Sequence, residues 1–237
     1  MCIVINDAES FSNAMETLIV FVIYWYSQLC LDLHKKQYYS LEESRFFALP
    51  KSEQLIPLNN PDTLFLDAAV FHASNEVRRK YGLPAFRYDP GLYLASSGHA
   101  TSMVYRTFFN HTNPYSPYER TAQRRVELYT KRFIRIGENI GKYQTLVSGD
   151  YMVARWKRQE NEFEFLNESD RRPCVPFTYA AYARFVVEQW MASPPHRSNL
   201  MNPAYVYLGC AARLSPEPFK HKKVPYASLV QNFGGEQ

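Results

Sequence analysis

Order is the strongest constraint on what this chain can fold into: helical periodicity fills its front and strand-like segments fill its back. Leu66, Ala69, Val70, Ala73, Val77 and Tyr81 recur at the spacing of one helix face. Gly82 then supplies a residue at ease in the left-handed conformation that ends helices, and Pro84 prevents resumption. A second helix is predicted over 90–109, with Asp89 as cap and Pro90 in the first turn. A third, more polar, helix is predicted over 118–133, and a fourth runs behind the cap Thr178 to residue 192. Residues 151–156 and 163–165 alternate enough to suggest a hairpin. It lies within 141–177, a stretch of mixed acids and bases that reads as a surface excursion. Two last strands are expected near 205–213 and 225–233. Helices first and strands after argue for an α+β fold, with helices packed on a small antiparallel sheet.

The 237 residues suit one domain with an appendage better than two full domains. Apolar residues make up 46% of the chain, enough for a sizeable core, and 18 Tyr and 16 Phe suit core edges or a groove, where a tyrosine ring packs while its hydroxyl stays wet. The net charge of +4 arises from 27 basic and 23 acidic residues spread along the chain. Nucleic acid needs a concentrated basic stripe, so no nucleic-acid partner is expected. Arg124-Arg125 and Lys131-Arg132 read as a solvated helix face. Four cysteines (2, 30, 174 and 210) make no disulfide scaffold in a chain this long. Cys174 and Cys210 could pair in an oxidising compartment, or Cys210 could be a small buried hydrophobe. There is no C-x-x-C for a thiolate zinc site.

Residues 1–36 read as a leader. Residues 17–31 carry no charge and 18–26 are continuously apolar or aromatic, short for a membrane span but matched to the apolar stretch of a secretory signal. Its flanks fit poorly: Asp7, Glu9 and Glu16 precede it, unless Met15 is the true start. Leu29 before Cys30 is wrong for a lipid-modified cysteine. A buried amphipathic helix is the structural alternative. Residues 37–63 read as a connector, and the compact domain is expected over 64–237. Membrane contact is expected only through the leader, if it is retained.

Three polar side chains stand out. His196 follows Ser193-Pro194-Pro195, which reads as a helix start: Ser193 caps, Pro194 takes the first position, and His196 sits in the first turn. The positive end of a helix disfavours an imidazolium, so His196 is expected neutral, as a ligand, a hydrogen-bond acceptor, or a merely packed histidine. His111 lies near a predicted helix end, where it could instead complement the negative dipole. Glu138, between Gly137 and Asn139, must be paired or metal-bound if buried. Two His and one carboxylate suit zinc with an open water position. Arg197 could hold an anionic group or lock its loop to an acid. No G-x-S-x-G elbow surrounds Ser193, so capping suffices for it. His99 shares a helix face with Met103 and reads as packed, and Trp190 reads as core.

The ordered series Asn75-x-x-Arg78, Gly82-Leu83, His99, Phe109-x-His111, Gly137-Glu138-Asn139-Ile140, Trp190-Met191-x-Ser193-Pro194-x-His196-Arg197-x-Asn199, Gly209 and Gln231-x-Phe233 resembles the bacterial branch of the CAP superfamily (cysteine-rich secretory proteins, antigen 5, pathogenesis-related 1) over residues 64–235. The resemblance implies an α-β-α sandwich with a central, mostly antiparallel sheet, and an exported protein, secreted or in the cell envelope. It also implies a cleft in which His111, Glu138 and His196 hold a divalent metal, zinc above others, with Ser193 and Arg197 on the rim. The family's fourth site position, a glutamate in the animal and plant branch, is Ser193 here. The function expected is a binding module for an envelope glycan, lipid or peptide. Two alternatives stand beside it: a metal-dependent hydrolase with Glu138 as base, and an adhesion domain whose polar cleft is only structural.

Overall fold

The fold is that of a computed structural model, which describes residues 37–236. The chain divides after Ser40, and the unit from Leu41 onward is described below. The expected leader, 1–36, lies outside the described residues. Among the described residues no helix is long and apolar enough to cross a membrane.

The unit opens with helix α1 (Glu43–Phe47) and a 3-10 turn (Pro50–Glu53). Then come α2 (Thr63–Lys80), β1 (Arg87–Tyr88), α3 (Pro90–Tyr105), α4 (Ala122–Glu127) and β2 (Arg135–Gln144). Short strands β3 (Leu146–Val147) and β6 (Val175–Pro176) bracket the hairpin β4 (Met152–Lys157) and β5 (Glu162–Asn167). Helices α5 (Tyr179–Ala192) and α6 (Pro194–Leu200) and strands β7 (Tyr207–Leu214) and β8 (Tyr226–Gly235) complete it. The central sheet runs β1-β7-β8-β2, with β1 parallel to β7 and the other pairs antiparallel.

Side chains on β8 show that the sheet is covered on both faces. Gln231 Nε2 donates to Ser74 Oγ of α2 at 2.8 Å, and Asn232 Nδ2 donates to Ser96 Oγ of α3 at 2.9 Å. Consecutive strand residues point to opposite faces, so α2 and α3 lie on opposite sides of the sheet. Helix α5 joins α2 through Arg184, which holds both oxygens of Glu76 at 2.8 and 2.9 Å. The result is the expected α-β-α sandwich. A strand covered on both faces needs no polar alternation, and β8 is buried from Ala227 to Gly235. Helix α3 sits directly on the backbone of β7: a Cβ on Gly209 would fall 2.1 Å from the Tyr93 nitrogen. Buried Asp67 of α2 bonds Arg213 at 3.0 Å and the Ala212 amide at 2.7 Å, and Arg213 reaches Ser97 of α3 at 2.6 Å.

Helices α2 and α3 end in the same way. Gly82 is left-handed (φ 72°), with Leu83 N–H on Arg78 O and Gly82 N–H on Arg79 O. Thr107 takes Gly82's role after α3 (φ 56°), with Phe108 N–H on Met103 O and Thr107 N–H on Val104 O. Both are Schellman stops. Gly82 announces the first. Nothing in Thr107 announces the second, which is why α3 stops at Tyr105 and the predicted run to 109 does not form. The helix predicted over 118–133 shrinks to Ala122–Glu127, since only Arg125 and Val126 on it are buried and a helix without a wider apolar face gains little from packing. Strand β2 extends to Gln144, so the excursion begins after the expected 141.

Residues 41–63 are part of the compact unit, a correction to the expected connector. Phe46, Ile56 and Leu58 are buried, Phe46 stacks on Phe65 at 4.8 Å, and the Ile56 amide donates to Phe177 O at 2.9 Å. Short irregular pieces bury isolated apolar side chains without a period for sequence reading to detect. Cys174 and Cys210 are both free, Cys210 being buried in β7.

Candidate functional site

Glu138 sits on β2 opposite Asn232, on the face that carries α3. Its side chain is only 4% exposed, and both its oxygens are engaged. Oε2 accepts from Arg125 Nη2 at 2.6 Å, and Oε1 from His111 Nδ1 at 2.8 Å. Burial alone would raise the pKa of Glu138. The His111 hydrogen bond and the Arg125 charge more than offset that and hold it below the ordinary carboxylate range. An ionised carboxylate only accepts, so Nδ1 of His111 carries the hydrogen of this bond and Nε2 is the ring nitrogen that Glu138 does not engage.

The Schellman stop at Thr107 turns Phe108–His111 off the axis of α3. Arg125 then anchors this segment: its side chain is 1% exposed, and it donates to the carbonyls of Glu119 at 2.7 Å and His111 at 3.0 Å besides holding Glu138. His111 therefore meets a carboxylate and does not complement a helix end. His99 of α3 donates from Nε2 to Asn110 O at 2.9 Å, steadying the same segment. Burial, then the nearby Arg125 charge, push the His99 pKa down to about 4. His99 is a packed residue, as expected, and Trp190 is fully buried, as expected.

His196 comes from the other side of β2. Ser193 stands at the cap position of α6 with Pro194 next, as expected, but the Ser193 hydroxyl makes no capping bond. Amide side chains fix α6 to the strand. Asn139 Nδ2 donates to His196 O at 3.1 Å, and Asn199 Nδ2 donates to Asn139 Oδ1 at 2.9 Å and to Glu138 O at 3.2 Å. Burial, and then the neighbouring His111, lower the His196 pKa. Its Nδ1 is buried with no hydrogen-bond partner among the described residues.

His111 and His196 line one cleft of about 430 Å³, together with Phe109, Asn110 and the run Ile140, Gly141, Lys142 and Tyr143 of the edge strand β2. Gly141 is needed there: a Cβ would fall 2.4 Å from the Tyr143 ring. The two imidazoles expected to converge do so. Glu138 stands behind His111 with no oxygen to spare. This corrects its place as a third metal ligand. Among the described residues no group of three His, Cys, Asp or Glu side chains is placed to hold a metal ion. Ser193 and Arg197 do not line this cleft, and exposed Arg197 donates to the Met191 carbonyl at 3.2 Å. Arg125 is the site residue that the sequence reading missed. Nothing in the pair Arg124-Arg125 distinguishes the buried guanidinium from its exposed neighbour.

Residues 71–232 match the family model described as the cysteine-rich secretory protein family. Among solved structures, an extracellular SCP-domain protein of Bacillus anthracis is 20% identical over 77% of this chain, with a TM-score of 0.46, and this chain spans 45% of that protein. An outer surface protein of Borrelia burgdorferi is 16% identical over 71% of this chain and 90% of its own length, with a TM-score of 0.46. A cysteine-rich secretory protein of Staphylococcus aureus is 16% identical over 74% of this chain and 40% of its own, with a TM-score of 0.39. No curated protein sequence matches.

Proposed function

The chain belongs to the cysteine-rich secretory protein family, and from that premise we propose that it is an exported binding module whose cleft takes a polar or amphiphilic envelope ligand beside a divalent cation held by His111 and His196. The observation that carries this reading is the shared cleft: two imidazoles from opposite sides of β2 open onto it, one oriented by a buried, ionised carboxylate. The donor set fits a borderline cation such as zinc. Glu138 engages only Nδ1 of His111 and leaves Nε2 for a cation, the His196 pKa is lowered toward the neutral ligand form, and His196 Nδ1 is buried without a hydrogen-bond partner among the described residues. With two protein ligands, the ion when bound would supply open positions at which a ligand oxygen can coordinate. Glu138 and Arg125 act behind it: the carboxylate fixes the ring and its tautomer, and the guanidinium keeps the carboxylate ionised. Export is proposed from the family's secretory character together with the apolar run 18–26.

Calorimetric titration of the full chain with zinc tests the reading. Wild type is expected to bind at one site, and His111→Ala and His196→Ala are each expected to weaken it by at least about tenfold. Glu138→Gln should weaken it by about 10- to 100-fold, the usual cost of losing a carboxylate that orients a ligand histidine. Zinc binding that survives unchanged in both histidine variants would sink the metal site and favour the adhesion alternative.

A further inference from the structure

The imidazole cleft does not stand alone on this face. Lys142 lines it, and Lys142 Nζ lies 4.1 Å from the centroid of the Tyr226 ring. Tyr226 in turn lines a second hollow of about 240 Å³, with Thr107, Ser215, Glu217, His221 and Lys223. Lys223 Nζ lies 5.0 Å from the same ring. Two ammonium groups thus share one tyrosine at the junction of two hollows.

The sheet register explains the meeting. Gln144 pairs with Tyr226 and Lys142 with Ser228, so Lys142 and Tyr226 are diagonal neighbours on one face of β2 and β8. Lys223 arrives from the basic segment 220–223 that precedes β8. Lys220 of that segment reaches Glu162 at 3.5 Å. Neither Lys142 nor Lys223 has an ion-pair partner among the described residues, although Glu217 lines the same hollow. The pKa of Lys142 is lowered by burial and then by the Lys223 charge, the mark of two ammonium groups crowded together over one ring.

We propose that this junction is an anion subsite, in which Lys142 and Lys223 grip a phosphate-type group on the ligand whose polar remainder lies in the imidazole cleft. The inference rests on the cleft reading above for the rest of the ligand and adds the ligand's charge. Two flexible point charges arriving from different segments suit a tetrahedral oxyanion with oxygens on several sides. Lysine binds phosphate as a point charge and needs no planar fork to do so. Phosphate esters of this kind occur on soluble glycans and on lipid headgroups, and the subsite reads the group they share.

The test is binding of the full chain to glycerol phosphate, followed by NMR, and to vesicles of phosphatidylglycerol in phosphatidylcholine, followed by flotation, with acetate as the planar control. Wild type should bind at least one phosphate probe and prefer it to acetate. Lys142→Gln/Lys223→Gln should bind about tenfold more weakly or less, a loss of one charge-assisted contact or more. Lys142→Arg/Lys223→Arg, which keeps the charge, should retain most of the binding. Response to the soluble probe supports the subsite and points to a phosphorylated glycan. Response to vesicles alone supports it and points to a headgroup. Absence of binding to both probes, or binding unchanged in the Gln variant, overturns the proposal. A zinc titration on the same samples separates the two readings. Lysine-dependent phosphate binding without zinc binding leaves the subsite standing and removes the metal, and intact zinc binding with lysine-independent phosphate binding removes the subsite alone.

Discussion

Arg125 and Glu138 form a buried pair on which His111 depends, and removing one partner is far worse than removing both. An isolated buried charge typically costs about 3–5 kcal/mol, whereas an apolar pair of similar volume is often neutral. Arg125→Met should therefore lower unfolding free energy in urea by about 3–5 kcal/mol, and adding Glu138→Leu to it should restore part of that loss, the bonds to the Glu119 and His111 carbonyls staying broken. A double variant no more stable than Arg125→Met would show that the pair is not the unit described here. His99 sets an acid limit on the same region. Its pKa is ordinarily 6.5 and falls to about 4 in the fold. As pH drops from about 6.5 toward about 4 the unfolded chain takes up a proton that the folded chain refuses. Stability present in full above pH 6.5 is then lost by up to about 3 kcal/mol and levels off below about 4. Glu138, held below its ordinary range, adds loss at lower pH still. Thermal melting of His99→Gln across this range should show a flatter acid limb than wild type. The two imidazoles and the carboxylate were legible as residue types at telling positions, whereas Arg125 was hidden because a guanidinium reads alike whether it faces water or a buried acid.

At the scale of elements, the sequence speaks where a local signal coincides with a tertiary need. Thr178 caps α5 by accepting from the Ala181 amide, as its position before an apolar run suggests, and Thr178→Ala should cost about 1 kcal/mol in chemical denaturation. A smaller loss would mean that α5 is held by its packing on α2 alone. Gly209 is the opposite case: it looks like a weak point in a strand, yet only glycine lets α3 lie on β7. Gly209→Ala is expected to lower the melting temperature more than any capping variant, because the backbone of Tyr93 would have to retreat from a contact of 2.1 Å. Strand β2 had no strong alternation to mark it, since its residues 140–141 are buried while Lys142 and Tyr143 open onto the cleft. The length of α3 was misjudged because Thr107 adopts a conformation that glycine usually signals.

For the molecule as a whole, the boundary of the stable unit is the sharpest test. Deleting everything before Leu64 removes the buried side chains Phe46, Ile56 and Leu58 and the Asp62 cap of α2. Three large apolar side chains contribute roughly 5–9 kcal/mol on burial, comparable with the whole stability of an ordinary domain. A chain starting at Leu41 is expected to melt cooperatively, and one starting at Leu64 to be insoluble or to melt without a transition. Equal melting curves would return 41–63 to the status of a connector. The sequence by itself determined the class of fold, the order of its main helices and final strands, and the identity of the two imidazoles and the acid, because period, caps and ordered motifs are local properties of a chain. The tertiary structure alone decided that Glu138 lies behind His111, that Arg125 is buried, that Ser193 and Arg197 stand away from the cleft, and that Lys142 and Lys223 meet over Tyr226. Each of those facts depends on which segments the sheet register and the helix stops bring within a few ångströms, and neither electrostatic pairing nor burial exists until they do.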